Sequence, residues 1–404
     1  MYFKKSNKWF IHVDCDSFFA SCEILRNPHL KGERVCVWWE IIIACSYEAK
    51  AIWIKTWTPI WEAKKILGKH GYFFLPDHNF YTEISEKIEN YLTYNTLKYE
   101  PFSIDEGFCE ITGLPEMYKI TLWTYLRRLQ KNILKEIWIP VSIWCSNTRI
   151  KAKMFSKLNK PYWIYIWLST EQEAKLFKSL PLKNIPYIWK AYQERFKSSC
   201  KTVYDFIQLW FWEIKKEIGK IWTDLRLELC WVNAFVVKKS HESKSVWRTR
   251  SFNKQITSNY DFLKEQLLLN FDSVFEHICE KNIEIKIVSI MLRDKNFYTY
   301  VYDYKLAEHT NIRKNILEIM LYLFDTYYSS EKTYRSTWVI LSEFKNYLPK
   351  QTSIFDKPLR SKENEYKLTK VINLINEKYW SHKVSFWISL IWKWFEAKLG
   401  IRKY

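Results

Sequence analysis

The feature that most constrains this chain is where its tryptophans stand. Among 404 residues there are 22 Trp and only 7 Gly. Ordinary glycine usage is about 7%, or about 28 residues in a chain of this length. The Trp and Gly together come close to that share. The segments IWIKTWTPIW, PVSIWCSN, KPYWIYI and NEKYWSHK put Trp53, Trp57, Trp144, Trp163 and Trp380 where chains turn. Turns favour glycine, because it adopts positive φ and lets backbones approach closely. Trp does neither. The pattern reads as UGA codons decoded as glycine in the source organism, a code some bacterial lineages use. The competing reading is a Trp-rich surface that stacks on nucleic-acid bases.

Charge narrows the partners. There are 63 Lys and Arg against 44 Asp and Glu, a formal net charge of +19. So basic a surface draws polyanions, nucleic acid more often than acidic membrane. Hydrophobic residues are 48% and charged residues 26%, which excludes a disordered chain. No apolar run reaches the roughly 18 residues of a membrane span. The opening MYFKKSNKWFIHVDCD is broken by acids too early for a signal peptide. Nine scattered Cys without a C-x-x-C pair read as reduced thiols in a cytoplasmic protein.

Periodicity then gives an element order. A buried strand, Phe10 to Val13, turns into a helix that Ser17 can cap. Two short strands follow in ERVCVWW and IIIACS, then helices near Tyr47–Ile52 and Pro59–Leu67. NFYTEISEKIENYLTYN and LWTYLRRLQKNILKEI have helical spacing, and YEPFSIDEGFCEITG is a β-hairpin with Asp105 and Glu106 at its centre. IPVSIWCS is a strand, followed by the basic helix NTRIKAKMFSKLNKP. That order predicts an α+β domain with helices on one face of a mostly antiparallel sheet. Ser169 to Val232 reads as helical, and VKKSHESKSV (Val237–Val246) as a linker. Beyond it, IEIKIVSIMLRD, FYTYVYDYKL and WVILSEF alternate with two long helices, a second α+β unit.

Asp14 stands at a strand end, and Asp105 and Glu106 in the hairpin. Carboxylates on neighbouring strands can hold two Mg²⁺ and so neutralise charge on a transferring phosphoryl group. Adjacent residues of a regular strand face opposite sides. Asp105 and Glu106 therefore both meet Asp14 only if the strand bulges or both metals lie near its edge. Taken alone, acids at a turn are more often solvated.

In these residues the chain resembles the Y-family translesion DNA polymerases. VDCDSFFASCE (Val13–Glu23) is similar to their D-x-D-x-F-F/Y-A-S-x-E motif. SYEAKAIWIKTWTP is similar to the Y-E-A-R/K segment, with Trp53 and Trp57 at its two glycines. YEPFSIDEGFCEITG resembles S-I-D-E-x-F/Y-x-D, and VSIWCSNTRIKAKMFSKLNKP resembles the segment that runs from S-I/V-G to K-P, with Trp144 at its glycine. IPYIWKAYQERF is similar to a helix-hairpin-helix, with Tyr187 at the first glycine and Trp189 at the second. The Tyr weakens that hairpin as a phosphate-binding nest. KSVWRTRSF is similar to the start of the family's little-finger domain. The resemblance spans nearly the whole chain, in order.

The resemblance implies a right-hand polymerase: palm about 1–24 and 77–165, fingers 25–76, helical thumb 166–236, linker 237–244, little finger 245–345 and a C-terminal tail 346–404. It implies two Mg²⁺ on Asp14, Asp105, Glu106 and the Cys15 carbonyl, and Phe19 as the steric gate against a 2′-OH. Tyr47, Lys50 and Lys160 match the triphosphate-binding positions. Lys50 replaces the commoner Arg and lacks its bidentate fork. Asp16 is implied to be structural rather than a ligand. The implied partners are primer–template DNA, dNTP and a sliding clamp, the last through Gln351, Ile354 and Phe355 of QTSIFD. Some segments lean to the polymerase V catalytic subunit, with its accessory subunits, and others to polymerase IV. The implied role is damage tolerance and DNA repair within the SOS response, with no membrane. Two other classes use the same features: a clamp-tethered DNA-binding protein with a decayed site, and a two-metal nuclease.

Overall fold

The computed structural model describes residues 8–156, 160–167, 170–188, 200–209, 219–238, 243–252, 256–346 and 371. The chain divides into two units, Met1–His241 and Glu242–Tyr404.

In the first unit β1 (Phe10–Cys15) runs into α1 (Phe18–Arg26). Strands β2 (Arg34–Trp38) and β3 (Ile42–Cys45) form an antiparallel pair, followed by α2 (Tyr47–Ala51) and α3 (Ile60–Leu67). β4 (Gly71–Phe74) returns parallel to β2 and completes a small three-stranded sheet. Helix α4 (His78–Asn95) precedes the hairpin of β5 (Lys98–Pro101) and β6 (Glu106–Glu110). Short α5 (Leu114–Met117) and long α6 (Leu122–Ile137) then lead to β7 (Val141–Ser146), α7 (Arg149–Met154) and β8 (Ile164–Ile166). The central sheet has the order β5-β6-β1-β7-β8, antiparallel except at β7–β8. Asp77 caps α4 by accepting from the Phe80 amide, and Thr121 caps α6 by accepting from Thr124.

Alternation along β1 sorts its side chains between two faces. Ile11, Val13 and Cys15 enter a core with Cys109, Ile143 and Cys145 from the sheet. Ile84, Ile88 and Leu92 of α4 and Leu126, Leu129 and Ile133 of α6 cover them. Each such side chain contributes about 1.5–3 kcal/mol on burial. His12 and Asp14 are left on the other face. A second core of Cys36, Ile42, Cys45, Ala49 and Leu67 holds the small sheet to α2 and α3. A third joins α8 (Thr170–Ser179), α9 (Val203–Gln208) and α10 (Lys220–Leu229) through Phe155, Phe177, Phe206 and Trp222.

The second unit is a five-stranded antiparallel sheet backed by two helices, its fifth strand a short one, Lys345–Asn346, that pairs with the start of the strand Ile283–Asp294. Its elements are β9 (Ser245–Ser251), α11 (Tyr260–Lys281), β10 (Ile283–Asp294), β11 (Thr299–Thr310), α12 (Arg313–Tyr327) and β12 (Tyr334–Ser342). The strand order is β11-β10-β12-β9. Phe271, Phe275, Met320 and Phe324 pack on Val288, Ile290 and Val339. The segment read as linker through Val246 ends sooner, because Ser245 and Val246 already pair with Ser342 and Leu341. Among the described residues no helix is long and apolar enough to cross a membrane.

Two sequence expectations are corrected. Ser17 occupies the N-cap of α1 but with φ 49°, and its side chain makes no capping bond. A left-handed N-cap does not aim its oxygen at the first-turn amides as an extended one does. The Ser17 hydroxyl instead accepts from Lys50 Nζ at 2.7 Å. Trp144 is not at a turn: it lies within β7, opposite His12 and Tyr165, and is fully buried.

Other tryptophans do sit in glycine conformations. Trp53, Trp57, Trp138 and Trp231 have φ of 72°, 78°, 66° and 70°. A side chain in that region costs about 1–2 kcal/mol. Trp53, Trp57 and Trp138 are 79%, 76% and 70% exposed. Their strain is thus in the backbone, not in crowded packing. Trp163 is not among the positive-φ residues. Trp189 and Trp380 lie outside the described residues. Trp53→Gly, Trp57→Gly and Trp138→Gly are each expected to raise stability by roughly 0.5–1 kcal/mol, the relieved strain less the entropy of glycine. Urea midpoints that stay put or fall in all three variants would contradict this. Mass spectrometry of the native protein, reading Gly or Trp at these positions, decides the codon reading directly.

Candidate active site

The site is built on β1 and its two neighbours. Asp14 pairs directly with Glu106 across β1–β6 and with Ser142 across β1–β7. Asp105 is the last residue of the turn before β6, and its carbonyl accepts from the Cys15 amide at 2.8 Å. One ligand atom each of His12, Asp14 and Glu106 lies within 4.8 Å of the others. Asp105 is outside that group, and its carboxylate accepts from the Ser103 hydroxyl. His12 was missed in the sequence. The signal was available, since period two puts residues 12 and 14 on one face.

Basic groups crowd these acids. Lys160 Nζ contacts Asp14 Oδ1. Lys153 Nζ donates to both Glu106 oxygens, at 2.8 and 2.7 Å. His12 Nε2 lies 3.0 Å from Glu106 Oε2. Burial pushes the Asp14 carboxyl up to about 7 against the pull of Lys160, with Asp105 and Glu106 adding to the rise. Burial also acts upward on Glu106, but His12 and Lys153 outweigh it and hold that carboxyl at about 2. Burial lowers the fully enclosed His12 to about 4, so its imidazole is neutral at neutral pH. A desolvated pair of carboxylates that gathers such charge suits hard divalent ions.

Next to the acids, Asp16 is buried and ties three segments together. Its carboxylate accepts from the Ser142 hydroxyl at 2.9 and 3.0 Å, from the Tyr162 amide at 2.8 Å and from Tyr47 Oη at 3.4 Å. Tyr47 opens α2, whose N-cap is Ser46, and Lys50 Nζ lies 4.2 Å from the Tyr47 ring centre. Lys160, Tyr47 and Lys50 thus gather around the Asp14–Asp16 turn. On α1, half-buried Phe19 stacks on Tyr81 with centroids 4.5 Å apart. The buried Tyr81 hydroxyl donates to Glu23 Oε1 at 2.6 Å, fixing that stack. Tyr187 has φ 70°, as a glycine there would. Gln351, Ile354 and Phe355 lie outside the described residues.

A helix-backed antiparallel sheet presenting acids from two paired central strands, with basic and aromatic groups beside them, defines a nucleotidyl-transfer palm of the right-hand polymerase class. The impB/mucB/samB family matches residues 13–157, and its C-terminal domain matches residues 243–354. The chain belongs to that family, the Y-family DNA polymerases, and is a DNA-directed DNA polymerase. It is 27% identical to a DNA polymerase IV of Bacillus velezensis over 91% of this chain and 90% of that one. It is 25% identical to a DNA polymerase IV of Streptococcus pneumoniae serotype 4, over 83% of this chain and 96% of the relative. A solved Y-family DNA polymerase chimera shares the fold, with TM-score 0.67 and 20% identity over 84% of this chain and all of that one. An insertion ternary complex of Dbh DNA polymerase aligns with TM-score 0.58 and 19% identity, over 84% of this chain and all of that one.

Asp16→Ala strands the Ser142 hydroxyl and the Tyr162 amide without an acceptor, at about 1–3 kcal/mol for each buried group. Its urea midpoint is expected to fall well below that of the wild type, with Asp16→Asn between the two. Equal midpoints for Asp16→Ala and wild type would refute the bracing role.

Proposed function

We propose that this protein is a translesion polymerase that adds dNTPs to a primer 3′-OH on damaged DNA templates. The observation that carries the reading is Asp14 standing opposite Glu106, with Asp105 in the adjoining turn. These three acids and the Cys15 carbonyl would hold two Mg²⁺. Bound there, the ions would lower the pKa of the attacking hydroxyl and neutralise charge on the α-phosphate.

The rest is positioning and electrostatics, as in other phosphoryl transfers. Lys160, now against Asp14, would swing to the triphosphate, beside Lys50 and Tyr47. Asp16 would keep Tyr47 aimed. The Phe19 ring, backed by Tyr81, would stand under the deoxyribose and meet a 2′-OH as a wall. The net charge of +19 would track the duplex backbone and make binding steeply salt-dependent. We assign residues 1–24 and 77–165 to the palm, 25–76 to the fingers, 166–236 to the thumb and 245–345 to the little finger. Gln351, Ile354 and Phe355 would dock on a sliding clamp.

Primer extension with dNTPs and Mg²⁺ tests the reading against a decayed binder, which would add nothing, and a nuclease, which would shorten the primer. Asp105→Ala is expected to abolish nucleotide addition while leaving primer–template binding near wild type, because phosphate contacts lie elsewhere. Extension at wild-type rate by that variant would remove Asp105 from the mechanism. Phe19→Ala is expected to admit ribonucleotides, raising the rNTP-to-dNTP incorporation ratio at equal concentrations. An unchanged ratio would move the sugar gate elsewhere.

A further inference from the structure

We propose that His12 joins Asp14 and Glu106 in a mixed nitrogen–oxygen site that takes a first-row transition-metal ion in preference to Mg²⁺. The proposal rests on reading Asp14 and Glu106 as metal-holding carboxylates, and adds a nitrogen ligand which that reading lacks.

His12 is fully buried, one pleat behind Asp14 on the same face of β1. Its Nδ1 has no hydrogen-bond partner among the described residues. Its ring is hemmed by Phe108 and Trp144, with centroids 5.0 and 5.9 Å away, so Nε2 is committed to the acids. Nε2 lies 3.0 Å from Glu106 Oε2. Two cis ligands of an octahedral ion with bonds of about 2.1 Å are separated by about 3.0 Å. The His12–Glu106 spacing fits that edge, and an Asp14 oxygen within 4.8 Å supplies a third donor.

Two cations now face the cluster, Lys153 on Glu106 and Lys160 on Asp14. Their side chains are 16% and 22% exposed, so both have a way out to solvent when an ion enters. Mg²⁺ favours oxygen ligands, whereas imidazole favours the later first-row ions. His12 would therefore raise affinity for Co²⁺, Ni²⁺ or Zn²⁺ without a matching gain for Mg²⁺. Such an ion shares its carboxylates with the metals of nucleotide addition, so the two occupancies exclude each other.

The test uses the full chain without DNA or dNTP. Mn²⁺ is added and pulsed electron paramagnetic resonance reads the ¹⁴N coupling of a directly bound imidazole. The coupling is expected in the wild type and lost in His12→Gln. Co²⁺ affinity is expected to fall about tenfold or more in His12→Gln, while Mg²⁺ affinity changes far less. Bound Mn²⁺ without imidazole coupling, or coupling that survives His12→Gln, overturns the role of His12 and leaves the carboxylate reading standing. Absence of bound Mn²⁺ in the wild type overturns both. Should His12→Gln fail to fold, Glu106→Gln addresses the same ion: it must weaken Mn²⁺ binding and lose the nitrogen coupling, and retention of both overturns the proposal.

Discussion

The pairing of β1 on both of its edges is the constraint from which the site follows. β6 and β7 lock its register, and a strand held on two sides cannot slip by one residue without turning its core face to the other side. Ile11, Val13 and Cys15 are committed to the helices. His12 and Asp14 are thereby committed to the opposite face, where Glu106 arrives from β6. The apolar core thus does chemical work at a distance. It holds acids together that would repel each other in an unconstrained chain.

That repulsion is answered by charge rather than by space. Lys160 and Lys153 lie against Asp14 and Glu106, and the raised Asp14 and depressed Glu106 carboxyls record how unevenly the answer is shared. Asp16, two residues from Asp14, has a different task. Its oxygens are taken up by Ser142, Tyr162 and Tyr47, so it braces the turn that carries the acids. On the helix α1 adjacent residues turn by about 100°, so Phe18 is buried while Phe19 is left half-exposed on Tyr81.

The tryptophans expose a conflict between local and tertiary demands. The backbone at Trp53, Trp57 and Trp138 is left-handed, and the side chains stand out in solvent. Trp144 meets the opposite situation. Within β7 its backbone is ordinary, and its bulk is absorbed between His12 and the helical core that includes Phe155 and Phe177. The same residue type on a presumed glycine position therefore strains the backbone in one place and fills a core in another.

Most of the element order was legible because it is local. Short apolar runs marked β1 and β7, helical spacing marked α4 and α6, and the acids at a strand end and in a hairpin marked the site. Ser17 was misread because capping depends on φ, which residue type does not specify. Trp144 was misread because a Gly-like motif position need not be a turn. How Asp105 and Glu106 could both meet Asp14 was open in the sequence; the structure sets Glu106 opposite Asp14 and leaves Asp105 at the end of the turn before β6, outside the group of His12, Asp14 and Glu106. His12 stayed hidden for a related reason. A lone histidine in a strand acquires meaning only from what the neighbouring strand brings opposite. Which residues carry charge is a property of the chain, but which of them meet in a low dielectric is decided by strand pairing across ninety residues.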